Sequence, residues 1–263
     1  MTKKWPVEVR GLTASYGDQV VLRDVDFVAH PAQITVVLGG SGSGKSTLLK
    51  HTLGLLEPDT GTVKLLGREI SEQSESELTA LRSRIGVLFQ SGALFSSMTV
   101  GENVAMVIRE TTDLPEEVVT QMVRMKLSLV RMEDAITKYP EELSGGMRKR
   151  AALARAIAVD PDILFCDEPS AGLDPIVACE LDELLLSLKE LFQMTLVIVT
   201  HELESVKKIA DRVVMLEDGK VIAGGTLAQV MSDNHPTVVD FFGRISRSDR
   251  AASPSLLSVI KGG

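Results

Sequence analysis

Between Ile34 and Leu56 the chain reads ITVVLGGSGSGKSTLLKHTLGLL, and this stretch restricts the fold more than any other. ITVVL is apolar and β-branched, the composition of a buried strand. Gly39, Gly40, Gly42 and Gly44 follow, interleaved with Ser41 and Ser43, and Lys45, Ser46 and Thr47 close the run. The spacing satisfies G-x-x-x-x-G-K-[ST]. Glycine is required there because the backbone must turn its amides inward toward a phosphate, with no Cβ in the way. In that pattern Lys45 reaches the β- and γ-phosphates, and the Ser46 hydroxyl takes a place on Mg²⁺. A strand before the loop and a helix after it make a chance Gly/Ser linker a poor explanation. The chain is therefore built on strand–loop–helix units of an α/β fold.

ILFCDE (163–168) supplies the second half of a nucleotide-hydrolysis site. A buried strand delivers Asp167 to the carboxyl edge of a sheet, where it can hold Mg²⁺ directly or through water. Glu168, one residue on, is placed to polarise an attacking water as general base. His201 closes the apolar run TLVIVTH and can donate to a γ-phosphate. Gln90 ends IGVLFQ and is poised to contact metal or water. Tyr16 is a candidate to stack on adenine.

A second anion-binding pattern lies about a hundred residues further on. LSGGMRKR (143–150) joins a Ser cap, two glycines and the start of a helix, the positive end of a dipole. Ser144, Gly145 and Gly146 are its candidate ligands. Arg148, Lys149 and Arg150 read as the solvated face of that helix.

Around these motifs, residues 7–38 hold strand-like runs (VEVRGLTASYG, VVLRDVDFVAH, ITVVL) separated by turn residues, which suggests a small antiparallel sheet. GTVKLLGREI is strand-rich, 71–79 is a polar segment, and IGVLFQ is a buried strand. From residue 91 the pattern becomes helical up to Val159, where DPD stops it. Within that region DLPEEVVTQMVRMKLSLV has acids in its first turn and helical apolar spacing, with Met122 and Met125 read as core filling. ILFCDE and TLVIVTH flank a helix over 176–192, which predicts a strand–helix–strand crossover and a parallel sheet.

Composition narrows the partners. Lys and Arg number 28 against 36 Asp and Glu, so the net charge of −8 argues against a nucleic-acid surface. Two cysteines, Cys166 and Cys179, make no disulfide framework and favour a reducing compartment. MTKKWPVEVRG lacks the apolar stretch of a secretory signal, and no apolar run approaches the roughly 18–20 residues that cross a bilayer. The expected chain is soluble and reaches a membrane only through a partner.

Tyr16, the loop at 39–47, Gln90, LSGGM at 143–147, ILFCDE at 163–168, SAGLD at 170–174 and His201 occur in the order found in ABC-type ATPases, and the chain resembles that family over roughly residues 5–230. The resemblance implies an α/β fold: a P-loop NTPase (RecA-like) core with an N-terminal antiparallel β-subdomain and an inserted α-helical subdomain. The ATPase domain would span 5–235, the helical subdomain about 91–159, and a C-terminal extension 236–263. It implies ATP and Mg²⁺ as cofactors, with Ser46, Gln90 and Asp167 at the metal and Glu168, His201 and Gln90 in catalysis. It also implies a homodimer in which Ser144, Gly145 and Gly146 meet the neighbour's γ-phosphate and Asp174 aligns the two halves. A Ras-like GTPase would need Asn-Lys-x-Asp, and neither Asn103 nor Asn234 is followed by Lys.

The text between motifs is similar to one branch, the ATPases of the Mla (maintenance of lipid asymmetry) and Mce-associated phospholipid transporters. QSGALF after Gln90 and SAGLDPI after ILFCDEP carry that similarity. It implies a place on the cytoplasmic face of an inner membrane, driving an MlaE-like permease that would dock near the segment after Gln90. A lipid-binding Mce-domain protein and a small STAS-domain subunit would complete the assembly. The alternatives are an ATPase for an importer of a small polar solute and a soluble ABC ATPase acting on DNA or ribosomes. The late cluster Leu256, Leu257, Val259 and Ile260 is read either as packing on the other protomer or as a frayed tail.

Overall fold

The computed structural model describes residues 5–251; the cluster Leu256–Ile260 lies outside the described residues. Two sheets organise it. β1 (Val7–Tyr16), β2 (Gln19–Ala29), β4 (Thr60–Leu65) and the short β5 (Arg68–Glu69) form an antiparallel sheet in the order β2-β1-β4-β5. The larger sheet contains β3 (Ile34–Gly39), β6 (Ile85–Leu88), β7 (Ile163–Asp167), β8 (Thr195–Thr200), β9 (Arg212–Glu217) and β10 (Lys220–Thr226), ordered β10-β9-β3-β8-β7-β6. All its pairings are parallel except β9–β10.

ITVVL is thus corrected: it is β3, the strand between β8 and β9 of the parallel sheet, and takes no part in the antiparallel one. The reason is legible in its composition. Every β3 residue is buried, and only a sheet covered on both faces accommodates an unbroken apolar strand. Its side chains alternate between two cores. Ile34, Val36 and Leu38 join one with Leu164, Cys166, Leu196 and Ile198, while Val37 joins the other with Phe165, Val197 and Val199. The second core also holds α1 (Lys45–Thr52), Leu81 and the antiparallel sheet; the first holds the helices from residue 100 onward.

The predicted crossover is present as β7, α6 (Pro175–Phe192) and β8, with β7 and β8 adjacent and parallel. The polar segment 71–79 hides α2 (Glu75–Arg82), started by a capping box between Ser74 and Glu77. The helical region consists of α3 (Val100–Thr111), α4 (Glu116–Leu129) and α5 (Gly145–Ala156), the last stopping short of Val159. α3 has its own capping box, Thr99 with Glu102. On α4 only one of the two methionines fills the core. Met122 packs against it, whereas Met125 is exposed, because Val119, Val123, Lys126 and Leu127 occupy the inward face. α7 (Leu203–Ile209) and α8 (Leu227–Met231) follow, and α9 (Pro236–Ala251) returns Val238 and Phe242 to the first core. No described helix is long and apolar enough to cross a membrane.

Candidate functional site

Strand register assembles the site. In the parallel sheet Leu88 pairs with Cys166, Asp167 with Val199, and Leu38 with Thr200. Each of these strands ends within two residues of a predicted site residue: Gln90 after β6, Asp167 and Glu168 at β7, His201 after β8, and the glycine loop after β3. One carboxyl edge therefore gathers four segments that are up to about 160 positions apart in sequence.

The loop at 39–44 adopts conformations reserved for glycine. Gly42 has φ +78° and Gly44 φ +102°, and a Cβ on Gly44 would stand 2.7 Å from Leu22 Cδ2. Lys45 is buried and donates from Nζ to the carbonyls of Gly39 (2.9 Å) and Gly40 (2.8 Å). Burial lowers its pKa, while Glu168 and Asp167 oppose that shift. Ser41 and Ser46 are exposed, Thr47 is half-buried, and Ser43 is buried. The turn Asp218–Gly219 braces this loop, since Gly219 N–H donates to Ser43 O (3.2 Å) while Gly219 O accepts from Arg23 N–H (2.8 Å). Sequence reading missed the brace, although an Asp-Gly pair between two strands is a turn signal.

Asp167 is raised in pKa by burial and next by Glu168; Lys149, Lys45 and Lys50 pull it back. The residues fit a nucleotide with its Mg²⁺. Two buried polar atoms at this edge, Ser43 Oγ and Asp167 Oδ1, have no hydrogen-bond partner among the described residues. A cation beside Asp167 Oδ1 would supply the missing partner there and oppose the rise in its pKa.

Glu168 stands in the left-handed region at φ +46°, a strain of roughly 1–3 kcal/mol for a residue with a Cβ. Surrounding bonds impose it. Glu168 N–H donates to Val199 O (2.8 Å), Thr200 Oγ1 donates to Oε2 (3.0 Å), and His201 Nδ1 donates to Oε1 (2.8 Å). With Nδ1 engaged, any bond from His201 to a phosphate must come from Nε2, and both nitrogens donate only in the imidazolium. Thr200 was not singled out in the sequence, where it reads as one more β-branched strand residue.

Two predicted residues stand apart from these contacts. Gln90 is exposed two positions beyond β6. Tyr16, 49% exposed at the end of β1, lies outside the lining of a cavity of about 650 Å³ formed by Gln19, Val20, Gly42, Glu217 and Lys220. The second glycine pair is equally distinct. Ser144 caps α5, its Oγ accepting from Met147 N–H (3.3 Å), and both Ser144 and Gly145 are exposed. A Cβ on Gly146 would fall 2.4 Å from Val177 Cγ1, so glycine lets α5 approach α6. Among the described residues, no hydrogen bond joins 144–146 to 39–47. Asp174 caps α6, accepting from Ile176 and Val177 N–H at 3.1 Å each.

The basic run after Gly146 needs correction. Arg148 is exposed, as expected, and donates to Leu143 O, but Arg150 is half-buried against Glu180, and Lys149 is buried with Nζ donating to Glu168 O at 3.0 Å. Position 149 shares its helix face with Ala152, Leu153 and Ala156, all buried, so it points into the protein.

Residues 22–171 match the family model described as ABC transporter. The chain belongs to the ABC transporter family. Among curated ABC relatives, an intermembrane phospholipid transport system ATP-binding protein, MlaF of Haemophilus influenzae, is 44% identical over 89% of both chains. MlaF of Escherichia coli K12 is 39% identical over 91% of this chain and 89% of its own. A probable ribonucleotide transport ATP-binding protein, mkl of Mycobacterium tuberculosis, is 40% identical over 89% of this chain and 66% of its own. Two solved structures share the fold. cbiO1 of Clostridium perfringens, part of the ABC transporter complex cbiONQ, has a TM-score of 0.81 at 29% identity over 94% of this chain and 99% of its own. A dimeric ATP-binding cassette in a post-hydrolysis state with ADP and Pi scores 0.77 at 29% identity, covering 84% and 98%. The chain is an ABC-family ATPase.

Proposed function

We propose that this ATPase powers phospholipid transport between the inner and outer membranes of a double-membraned bacterium, acting as a peripheral subunit on the cytoplasmic face of the inner membrane. The observation that carries the reading is the 44% identity to MlaF of H. influenzae, spread over 89% of both chains. Its partners are an MlaE-like permease, a lipid-binding Mce-domain protein and a STAS-domain subunit.

Two copies form a symmetric dimer with two sites. Gly39–Thr47 of one chain grips the nucleotide phosphates while Ser144, Gly145 and Gly146 of the other close over the γ-phosphate. The exposure of Ser144 and Gly145, with no bond back to their own phosphate loop, supports this arrangement. So does a similar cassette that is itself a dimer with ADP and Pi. Ser46, Gln90 and Asp167 hold Mg²⁺, which when bound supplies the positive charge that the transferring phosphoryl group needs. Glu168, aimed by Thr200 and His201, orients the attacking water and takes its proton. Tyr16 stacks on the adenine, and Asp174 aligns the two halves.

The identity to mkl, named for ribonucleotide transport, supports a second reading in which the ATPase serves an importer of a small polar solute. Copurification from membranes separates the two. The phospholipid reading expects a Mce-domain partner and bound lipid; recovery of a solute-binding importer permease in their place rejects it.

A further inference from the structure

Lys149 is a buried amine that the mechanism above leaves unused. We propose that Lys149 is a positioning residue that holds the backbone of Glu168 and couples the Ser144 turn, facing the partner's nucleotide, to hydrolysis at the chain's own site. The proposal rests on the reading of Glu168 as base and of Ser144 as a ligand in trans.

Glu168 keeps a φ of +46°, and what its carbonyl does helps to fix that conformation. The carbonyl accepts from Ala171 N–H at 3.2 Å and from Lys149 Nζ at 3.0 Å. The first bond is local to the turn; only the second arrives from another element. Lys149 is 6% exposed and is surrounded by acids, with Asp167, Glu202 and Glu168 near enough to act on its charge, yet it forms no ion pair among the described residues. An ammonium among three carboxylates that makes its hydrogen bond to a main-chain oxygen fixes a backbone and does not neutralise one particular acid. Its charge also opposes the rise at Asp167, together with Lys45 and Lys50. One side chain therefore bears on both acids of the site.

α5 makes this contact more than local. Lys149 lies five residues beyond the Ser144 cap, about 7.5 Å along the helix axis, within one unbroken hydrogen-bonded run of α5. When a phosphate engages the Ser144 end, any shift of α5 reaches the Glu168 carbonyl through Nζ. The acid of one site thereby registers occupancy of the other.

The test uses the full chain carrying Lys149→Met, which keeps an unbranched side chain out to Cε and removes the donor and charge. The expected result is a parent Hill coefficient for ATP above 1 that drops toward 1 in the variant, with a fall in kcat of about tenfold and nucleotide affinity of the single chain within about twofold of the parent. A parent Hill coefficient of 1 overturns the coupling. Lys149→Arg, which retains a long cationic donor, should restore both kcat and cooperativity. If Lys149→Met does not fold, Lys149→Leu, which also lacks donor and charge, is put through the same measurements. A lowered Tm with unchanged kcat and cooperativity in the folded protein would mean a purely structural lysine and overturn the proposal. A lower kcat with an unchanged Hill coefficient overturns the coupling. Glu168→Gln separates the two layers: near-normal hydrolysis by that variant sinks the reading of Glu168 as base. If it is inactive while Lys149→Met behaves as the parent, only the present inference is lost.

Discussion

Replacing Asp160 with Asn tests how the helical region is fastened to the core. Lys126 on α4 is fully buried, its ammonium paired with Asp160 beyond α5 and 5.3 Å from the centroid of the Phe192 ring at the end of α6. Asp160 sits at φ +51°, a conformation Asn also tolerates, so the substitution removes charge while keeping shape and backbone preference. Stripping the partner from a buried ion costs about 3–5 kcal/mol. Here the carboxylate side chain is 49% exposed, which discounts its share of the pair. The amide oxygen and the ring together recover about another 1–2 kcal/mol. A net loss of roughly 1.5–3 kcal/mol follows, or a fall in Tm of roughly 3–6 °C for a chain of this size. Calorimetry without nucleotide measures it directly. The double variant Lys126→Met/Asp160→Asn should regain most of the loss, since an apolar replacement of a buried pair is often neutral. A single variant melting within about 1 °C of the parent, or a double variant no better than the single, refutes the reasoning.

Three further outcomes are expected. Glu168→Gln should abolish turnover and leave ATP binding intact, so that ATP-dependent dimers accumulate on a sizing column. Ser144→Ala should lower ATPase activity while the single chain keeps its nucleotide affinity; collapse of single-chain binding would mean that Ser144 serves its own phosphate. His51 is buried and its pKa is lowered, chiefly by burial, so folding disfavours its charged form. Its contribution is complete above about pH 6.5 and declines as the pH falls below that value, since the unfolded chain then binds the extra proton. Denaturant titrations from pH 7 to 5 should show a slope that His51→Gln reduces, by at most about 1.4 kcal/mol per pH unit.

Motif spacing named the segments that the structure gathers at one sheet edge, because a glycine-rich phosphate loop and a pair of acids closing a buried strand each have a fixed pattern along the chain. Asp167 and Glu168 were legible for that reason, as was the loop holding Lys45. What stayed hidden depends on neighbours remote in sequence. ITVVL is apolar enough for either sheet, and only its burial on both faces decides between them. Thr200 aims Glu168 yet looks like any residue of its strand. Lys149 stands between two arginines in the sequence, and the spacing it shares with Ala152, Leu153 and Ala156 was the one clue that it turns inward.

Asn103 has a consequence of its own. Fully buried at the start of α3, it donates from Nδ2 to the carbonyls of Phe95, Met98 and Thr99 and accepts at Oδ1 from Phe95 N–H. The loop that follows Gln90 is thereby stapled to a helix by a single amide. Arg155 on α5 donates to the carbonyls of Gly92 and Ala93 as well, so a stretch without secondary structure of its own is tied to two helices and these main-chain oxygens are satisfied by side chains.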